Sequence, residues 1–566
     1  MIAIQTNNIF LDLPNNFSFG LVIQSPIYFG GDFNFIPGTY SIPTEINDTD
    51  RNRRALGYPS LLSNTNNFNS KLSAKIFIDH NLFTNALLTV KVASNKKIKI
   101  QLFADIAALQ ELKTKQLSEL NFEDLTTIQN PQTAPITDSS LPYRVFRIYN
   151  PDALKFQDET SAQRIEYEKV ETINFWNGSD IRYFSPQPLL SVVINQIFKD
   201  LDYTLNIDFF NDPEYKELCL YNNRMISNNE KPADQAETID PNYLPLNIRQ
   251  HLPSSTSQAT LLKEFCKLFG GTFKIDNINK IATFIQFDTL TDQTPEDWSE
   301  YLSLDYDIET DYNFEGVSLS FLTEHDSFAT DNDKLKNISN EYTEHTPSYA
   351  APANAVQSDV YLGLTTNYYF QLINFRGSNT LSWSPLSAAD LRDQKETGQE
   401  IKINLSPLLL SKKEYGVFVN DMLHLTINQE VTQSERVNET GLRVVIYRGL
   451  SHQLSPYQNQ KLPYANNYEY DSSYNDTFNR SLRLNGQKGI YKSHWQKWNE
   501  VLKKAKPIST TAAIPNRILQ NLDTTKPIRA YNQRTGTFHN YFIKTFKPTL
   551  KTDNQEVSGT LALIKY

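Results

Sequence analysis

Lys96-Lys97-Ile98-Lys99-Ile100-Gln101-Leu102-Phe103 alternates apolar and polar residues over the length of one strand. Ile98, Ile100 and Leu102 fall on one face and the polar residues on the other, which is the period of a β-strand with one face in water. Upstream, Ile2 to Leu13, Phe17 to Gln24, Leu72 to Asp79 and Leu87 to Phe103 carry the same alternating or β-branched apolar residues between Asn, Pro and Gly clusters. The opening of the chain, to about residue 110, therefore reads as the strands of a barrel or sandwich. A short helix is predicted from about Ala104 to Gln116, with Leu109, Leu112 and Leu117 at near-helical spacing.

Beyond it, Thr126 to Pro142 is rich in Thr, Pro, Gln and Ser without period and marks a boundary. Leu189, Leu190, Val193, Ile194, Ile197 and Leu201 then define an amphipathic helix that runs into a strand at Tyr203-Thr-Leu-Asn-Ile and a turn at Asn211-Asp-Pro. The polar, acidic stretch Asn222 to Pro241 reads as a surface excursion. In residues 255–287, Ser255 and Gln258 make a capping-box pattern, Leu261, Leu262, Phe265, Leu268 and Phe269 form one helical face, and Gly270-Gly271 supplies the stop. Two strands are expected after it, around Asp276-Asn-Ile-Asn, so that helix and hairpin cover one face of a barrel. His325 to Asn354 is again of low order, and strands resume at Val356-Gln-Ser-Asp-Val-Tyr-Leu and Asn367-Tyr-Tyr-Phe-Gln-Leu. The Tyr-, Asn- and Ser-rich segment 455–487 reads as a long surface loop. Tyr491, Trp495, Trp498 and Leu502 follow at helical spacing, and strands at Asn540 to Phe546 and Gly559 to Tyr566 end the chain.

Composition narrows the function. The chain has 566 residues, enough for roughly three or four domains. With 12% aromatic residues it is far from a disordered composition. A net charge of -10 and a pI near 5.5 disfavour general nucleic-acid binding, which depends on basic surface. No apolar run approaches the roughly 20 residues needed to cross a bilayer, and the opening Met1-Ile-Ala-Ile-Gln-Thr-Asn-Asn lacks the marks of a secretion signal, so folding in a cytoplasm is expected. Cys219 and Cys266 are too few to staple such a chain and read as small buried residues.

Catalytic patterns are scarce. The eight His, at 80, 251, 325, 345, 424, 452, 494 and 539, stand singly, and no phosphate-cradling, dinucleotide or Gly-x-Ser-x-Gly motif occurs. Asp48 with Asp50, or Glu296 with Asp297, could supply paired carboxylates for glycan hydrolysis, but their Asn, Thr and Pro surroundings read as solvated turns. Asp331-Asn-Asp lacks the Gly and Glu of an EF-hand loop. Tyr491, Trp495 and Trp498 could stack on sugars, and at helical spacing they read as core. Arg51-Asn-Arg-Arg54 is read two ways, as a local salt-bridged turn and as an intersubunit contact through Arg51, Arg53 and Arg54. No catalytic, cofactor or metal residue is assigned.

The order of segments resembles the hub and tail-tip proteins of phage and prophage baseplates. Gly38-Thr-Tyr-Ser-Ile-Pro-Thr-Glu-Ile-Asn-Asp-Thr-Asp-Arg-Asn and Leu56-Gly-Tyr-Pro, followed by Lys75-Ile-Phe-Ile-Asp and Ala86-Leu-Leu-Thr-Val, are similar to that family's opening. Asp202-Tyr-Thr-Leu-Asn-Ile-Asp-Phe-Phe-Asn-Asp-Pro is similar to its middle, and the helix and hairpin at 258–287 to its hub segment. Tyr491-Lys-Ser-His-Trp, Leu522-Asp-Thr-Thr-Lys-Pro-Ile and the last strands occupy the place of its closing barrel, so the order spans about 500 residues. The chain departs from the family at Asp202-Tyr, where Gly-Tyr is frequent, and in the segment 455–487.

The resemblance implies a mainly β chain with some α (α+β), multidomain, with tube-type β-barrel domains plus inserted α/β domains. The expected division is a tube-like β-barrel domain at 1–125, an inserted α+β domain at 126–250 and a helix plus hairpin completing the barrel region at 251–325. A β-rich peripheral domain with long loops at 326–487 and a C-terminal helix with closing strands at 488–566 complete it. It further implies a non-enzymatic homotrimer in the virion tail, assembled in the host cytoplasm. Such a ring closes the tail tube, joins the tube or distal tail ring to spike and fibres, and opens for DNA to pass without sequence-specific binding. The alternatives are a distal tail or injection-machine ring protein and, from another class, a glycan-binding or glycan-cleaving surface protein.

Overall fold

The computed structural model describes residues 2–36, 38–61, 71–104, 111–122, 125–129, 141–149, 184–222, 243–246, 248–309, 314–321, 356–362, 368–375, 378–385, 398–407, 410–415, 418–424, 442–454, 461–467, 470–471, 476–482, 484, 488–532, 536–552 and 554–566. The fold is mainly β with some α. One sheet of 14 strands dominates and is assembled from both ends of the chain. In chain order its strands are β1 (Ile2–Thr6), β2 (Ile9–Phe10), β3 (Ser18–Gln24), β4 (Gly38–Ser41), β5 (Thr44–Asn47), β6 (Lys71–Ile78), β7 (Asn81–Ala93), β8 (Lys97–Ala104), β9 (Glu296–Asp297), β10 (Leu302–Ile308), β11 (Lys506–Pro515), β12 (Ile528–Asn532), β13 (Thr537–Lys551) and β14 (Glu556–Lys565). Their spatial order is β10-β11-β14-β13-β3-β4-β8-β7-β6-β1-β2, with β5 beside β8 and β12 joining β9 to β13. β3 pairs antiparallel with β13 from Ser18↔Lys551 to Gln24↔Thr545, which seals the first strands to the last.

Local sequence explains the hairpins. Asn7 and Asn8 both take left-handed φ between β1 and β2, and Asp79 and His80 do the same between β6 and β7. Two such residues give a two-residue turn whose twist matches its strands, and after glycine Asn, Asp and His tolerate that backbone better than other residues. The expected strand Ile2 to Leu13 is thereby split in two. In β8, Ile98, Ile100 and Leu102 are buried while Lys97 and Lys99 are exposed, as the alternation requires. The core beneath the sheet draws fully buried Ile4, Ile76, Leu88 and Ile98 from the N-terminal strands and Ile514, Ile543, Phe546 and Leu561 from the C-terminal ones. Each such side chain stabilises the fold by roughly 1.5–3 kcal/mol relative to exposure.

The expected tube-type barrel is not closed among the described residues. The strand path ends at β10 on one side and β2 on the other, whereas closure would give every strand two neighbours. Alternation places a strand's faces but carries no information about which edges meet.

A second core packs helices against small sheets. A helix α2 (Leu190–Lys199) buries Leu190, Val193, Ile194, Ile197 and Phe198, and α3 (Gln258–Leu268) buries Leu261, Leu262, Phe265 and Leu268. The α3 N-cap is Ser257, whose Oγ accepts the Thr260 N–H at 3.2 Å, and not Ser255. Gly270, at φ +56°, ends the helix and sends the chain into the hairpin Gly271–Asp276 and Ile281–Gln286. The strand Thr204–Asn206 adds to that hairpin in parallel. A π turn at Tyr491–Trp495 leads into α4 (Gln496–Lys504), and Trp495, Trp498 and Leu502 are fully buried, as their spacing predicts. Phe542 and Ile564 of the large sheet reach this same core.

Part of the segment 455–487 is integrated rather than looped out. Its strand Lys461–Ala465 pairs with Arg443–Leu454, and Asn467, Ser481 and Leu482 are buried. The stretches Asn222 to Pro241, after its first residue, and His325 to Asn354 lie outside the described residues, as does Asp331-Asn-Asp.

Candidate functional site

The Arg51-Asn-Arg-Arg54 run forms a helix α1 (Asp50–Ala55) capped by Thr49, whose Oγ1 accepts the Asn52 N–H at 3.2 Å and donates to Asp12 Oδ2 at 2.8 Å. The three arginines differ. Arg53 pairs with Asp48 at 3.0 Å and with Asp50, and the Asp48 carboxylate is only 1% exposed. Arg51 reaches Asp12 at 3.5 Å, and Arg54 Nε donates to the Asp50 carbonyl at 3.4 Å; both are exposed. The salt-bridged turn read from the sequence is therefore present, with Arg51 and Arg54 left on the surface beside it.

Asn52, between them, is fully buried. Its Nδ2 donates to the carbonyls of Asp12 and Asn47, both at 2.9 Å, and its Oδ1 accepts the Asp12 N–H at 2.7 Å. It ties two loops of the sheet to α1. Sequence reading assigned it no role of its own, although a lone Asn inside a charged helical run is an unusual choice against its helix propensity.

The carboxylate pairs do not form a catalytic cleft. Asp48 is occupied by Arg53, and Asp50 is open to solvent. Asp297 accepts from the Ser299 hydroxyl at 2.6 Å and from its N–H at 3.1 Å, and faces Arg529 at 3.3 Å; these contacts hold its carboxyl below the usual range. Burial pushes Asp288 up to about 6, but its Oδ1 accepts the Trp498 N–H at 3.0 Å and so caps the start of α4. Among the described residues no group of three or more His, Cys, Asp or Glu is placed to hold a metal ion. Cys219 and Cys266 are free and buried, and burial pushes both thiols up, which makes them poor nucleophiles.

A buried polar cluster surrounds His494. Its Nε2 lies 2.7 Å from the Tyr215 hydroxyl and its Nδ1 2.9 Å from Gln286 Nε2, within a cage of Phe209, Tyr215 and Phe269 rings. Burial, reinforced by the Arg480 cation, pushes the imidazole down to about 3 and keeps it neutral. Alongside, Glu214 accepts the N–H groups of Asn479 and Arg480 at 2.7 and 2.9 Å and pairs with Arg448. Arg448 donates to the Arg480 carbonyl at 2.8 Å, and Arg480 pairs with Asp212 at 2.8 Å. These contacts strap residues 478–481 to the 212–217 turn. They are structural in geometry, since the cluster is closed to solvent at His494.

No family model matches the chain. No curated protein matches it either. Three solved structures align over nearly its whole length. The 43 kDa tail protein of prophage MuSo2 from Shewanella oneidensis is 6% identical with a TM-score of 0.34, covering 99% of this chain and 96% of that one. The prophage tail protein gp18 from Listeria monocytogenes EGD-e is 7% identical with a TM-score of 0.33, covering 99% and 94%. The tail protein from Neisseria meningitidis MC58 is 7% identical with a TM-score of 0.33, covering 100% and 96%. Scores this low carry no argument about function, which rests on the residues and surfaces of the chain itself.

Those surfaces suit protein contact. β10 forms one margin of the large sheet, and Ser303, Asp305, Tyr306, Asp307 and Ile308 along it are exposed. At the tip of the β12–β13 hairpin, Tyr531 faces Phe538 with ring centroids 5.2 Å apart, and the Arg529 guanidinium lies 4.9 Å from the Phe538 ring. Tyr531 is 43% and Phe538 51% exposed, a small aromatic patch outside either core. No helix among the described residues is long and apolar enough to cross a membrane.

Proposed function

We propose that this chain is a structural protein of a phage tail, the baseplate hub or tail-tip protein, without enzymatic activity. The observation that carries the reading is an open sheet joining both ends of the chain and ending in an exposed strand, β10, together with the ordered sequence resemblance to hub proteins. Exposed strand margins favour assembly with neighbours. In this reading three copies form a ring in the virion tail, built in the host cytoplasm. The ring closes the tube, contacts the tube or distal tail ring and the spike or fibres, and opens for DNA. The net charge of -10 suits a passage along which DNA slides without being held.

Locating the chain in a virion map tests this. A three-fold ring on the tube axis is expected, and a position away from the axis overturns the hub assignment. Arg51, Arg53 and Arg54 are proposed as part of a subunit contact. Replacing all three with Ala lowers ring assembly if they cross it, and unchanged oligomerisation refutes that role.

A further inference from the structure

The chain segregates charge between two parts of its large sheet. β10 reads Leu302-Ser-Leu-Asp-Tyr-Asp-Ile308 and is followed by Glu309. Asp305, Asp307 and Glu309 alternate with Tyr306 and Ile308, which are 39% and 47% exposed, so an acidic row backs onto an apolar one. The inner side of β10 pairs with β11, and no strand among the described residues pairs its outer side. Lys544 and Lys547 line a groove together with Asp307, Ile308 and Glu309.

Across the sheet the sign reverses. The outward face of β6 to β8 carries exposed Lys75, Lys91, Lys97 and Lys99, with Lys96 at the turn and exposed Val92 opposite Lys99. β5 borders this face. It pairs with β8 on one side only among the described residues, with Glu45 bound to Lys97 at 2.8 Å. A basic face on a chain of net charge -10 is a concentrated feature.

We propose that these two surfaces mate between copies of this chain: β10 of one copy adds to the outer side of β5 of the next. Asp305 and Asp307 then come within reach of Lys97 and Lys99, one strand further in. Strands lie about 4.8 Å apart, so the gap across β5 is about 9.6 Å, which an extended lysine and an aspartate side chain bridge together. Added main-chain hydrogen bonds supply affinity and the charges fix the register. The contact is heterologous, each copy giving a different surface on its two sides, and such contacts close into rings when the rotation allows. The inference rests on the ring reading above, and it names which surfaces meet.

The test is the mass of the full chain in solution over a range of concentrations. Two variants are compared with the wild type, Lys97→Glu with Lys99→Glu, and Asp305→Lys with Asp307→Lys, each checked for unchanged circular dichroism and melting. Each variant alone is expected to lose association by roughly tenfold or more, because like charges then face each other. Combining all four changes in one chain restores opposite charges at every contact and is expected to restore the assembly. Association of the wild type is also expected to weaken with added salt. A wild type that stays monomeric, an assembly indifferent to both variants, or a loss that the four-fold variant does not rescue overturns the proposal. A three-fold ring whose mass ignores the reversals removes this interface and leaves the hub reading standing. Only a position off the tube axis in the particle removes the latter.

Discussion

Acidification from about pH 7.5 to about pH 5 sets buried His494 and half-buried Asp288, both beside the aromatic core, against each other. Burial and Arg480 push the His494 imidazole down to about 3 from 6.5. The unfolded chain therefore takes up a proton there through the range 3 to 6.5 while the folded chain does not. Stability from this group is fully present above about pH 6.5 and drains by about 1.4 kcal/mol per pH unit below it, about 2 kcal/mol by pH 5. Asp288 acts in the opposite sense. Burial raises it to about 6 from 3.8, so the folded chain holds a proton the unfolded one releases, and stability falls as pH rises from 3.8 to 6. Going down from pH 7.5 to pH 5 it returns about 1.4 kcal/mol.

The two nearly cancel in the wild type. Asp288→Asn keeps a cap for the Trp498 N–H and removes the titration, so this variant is expected to lose about 2 kcal/mol between pH 7.5 and pH 5. His494→Gln leaves Asp288 alone and is expected to gain about 1.4 kcal/mol over the same interval. Urea unfolding followed by tryptophan fluorescence reads both, because Trp495 and Trp498, two of the five tryptophans, lie in this core. An Asp288→Asn profile as flat as that of the wild type would refute the reasoning, since His494 would then accept its proton at no cost.

Three further outcomes are expected. Asn52→Leu strands the N–H and carbonyl of Asp12, while the Asn47 carbonyl keeps the Thr49 N–H, and should cost roughly 2–3 kcal/mol in denaturant titration. Gly270→Ala should cost at least about 2 kcal/mol by the same measurement, because the position has φ +56° and its Cβ would stand 2.4 Å from the His494 carbonyl oxygen. Arg448→Ala leaves the Glu214 carboxylate largely buried without its cation, a loss of about 3–5 kcal/mol for such a pair. Its signature is faster proteolysis in 455–487 with cleavage elsewhere unchanged.

Much of the candidate interface was legible only as composition. The Arg51, Arg53 and Arg54 triplet stood out by charge, yet the sequence left the local and the intersubunit reading open. The local one is made by Arg53 with Asp48 and Asp50, near it in sequence, while Arg51 turns to Asp12 on a loop brought to α1 by Asn52. The sequence reading assigned no strand to Leu302–Ile308, although its acidic alternation and the lysines of β6 to β8 are local patterns. That they stand in one sheet, with Lys99 and Asp305 some 206 positions apart (305 − 99), was not legible from either segment.

By itself the sequence determined the strands and helices whose periodicity is complete within one element. These include the buried triplet of β8, the buried face of α3 with its Gly270 stop, and the Trp495 and Trp498 stripe at the start of α4. Side-chain alternation and helical spacing are local properties, so a single segment suffices to read them. Only the tertiary structure decided the edges. Backbone hydrogen-bonding groups are alike in every residue, so nothing in Ser18–Gln24 names Thr545 to Lys551 as its partner, or gives β10 a neighbouring strand on one side only among the described residues. Strand pairing across the chain is selected by how the two apolar faces close one common core, and that choice opens the sheet instead of closing a barrel.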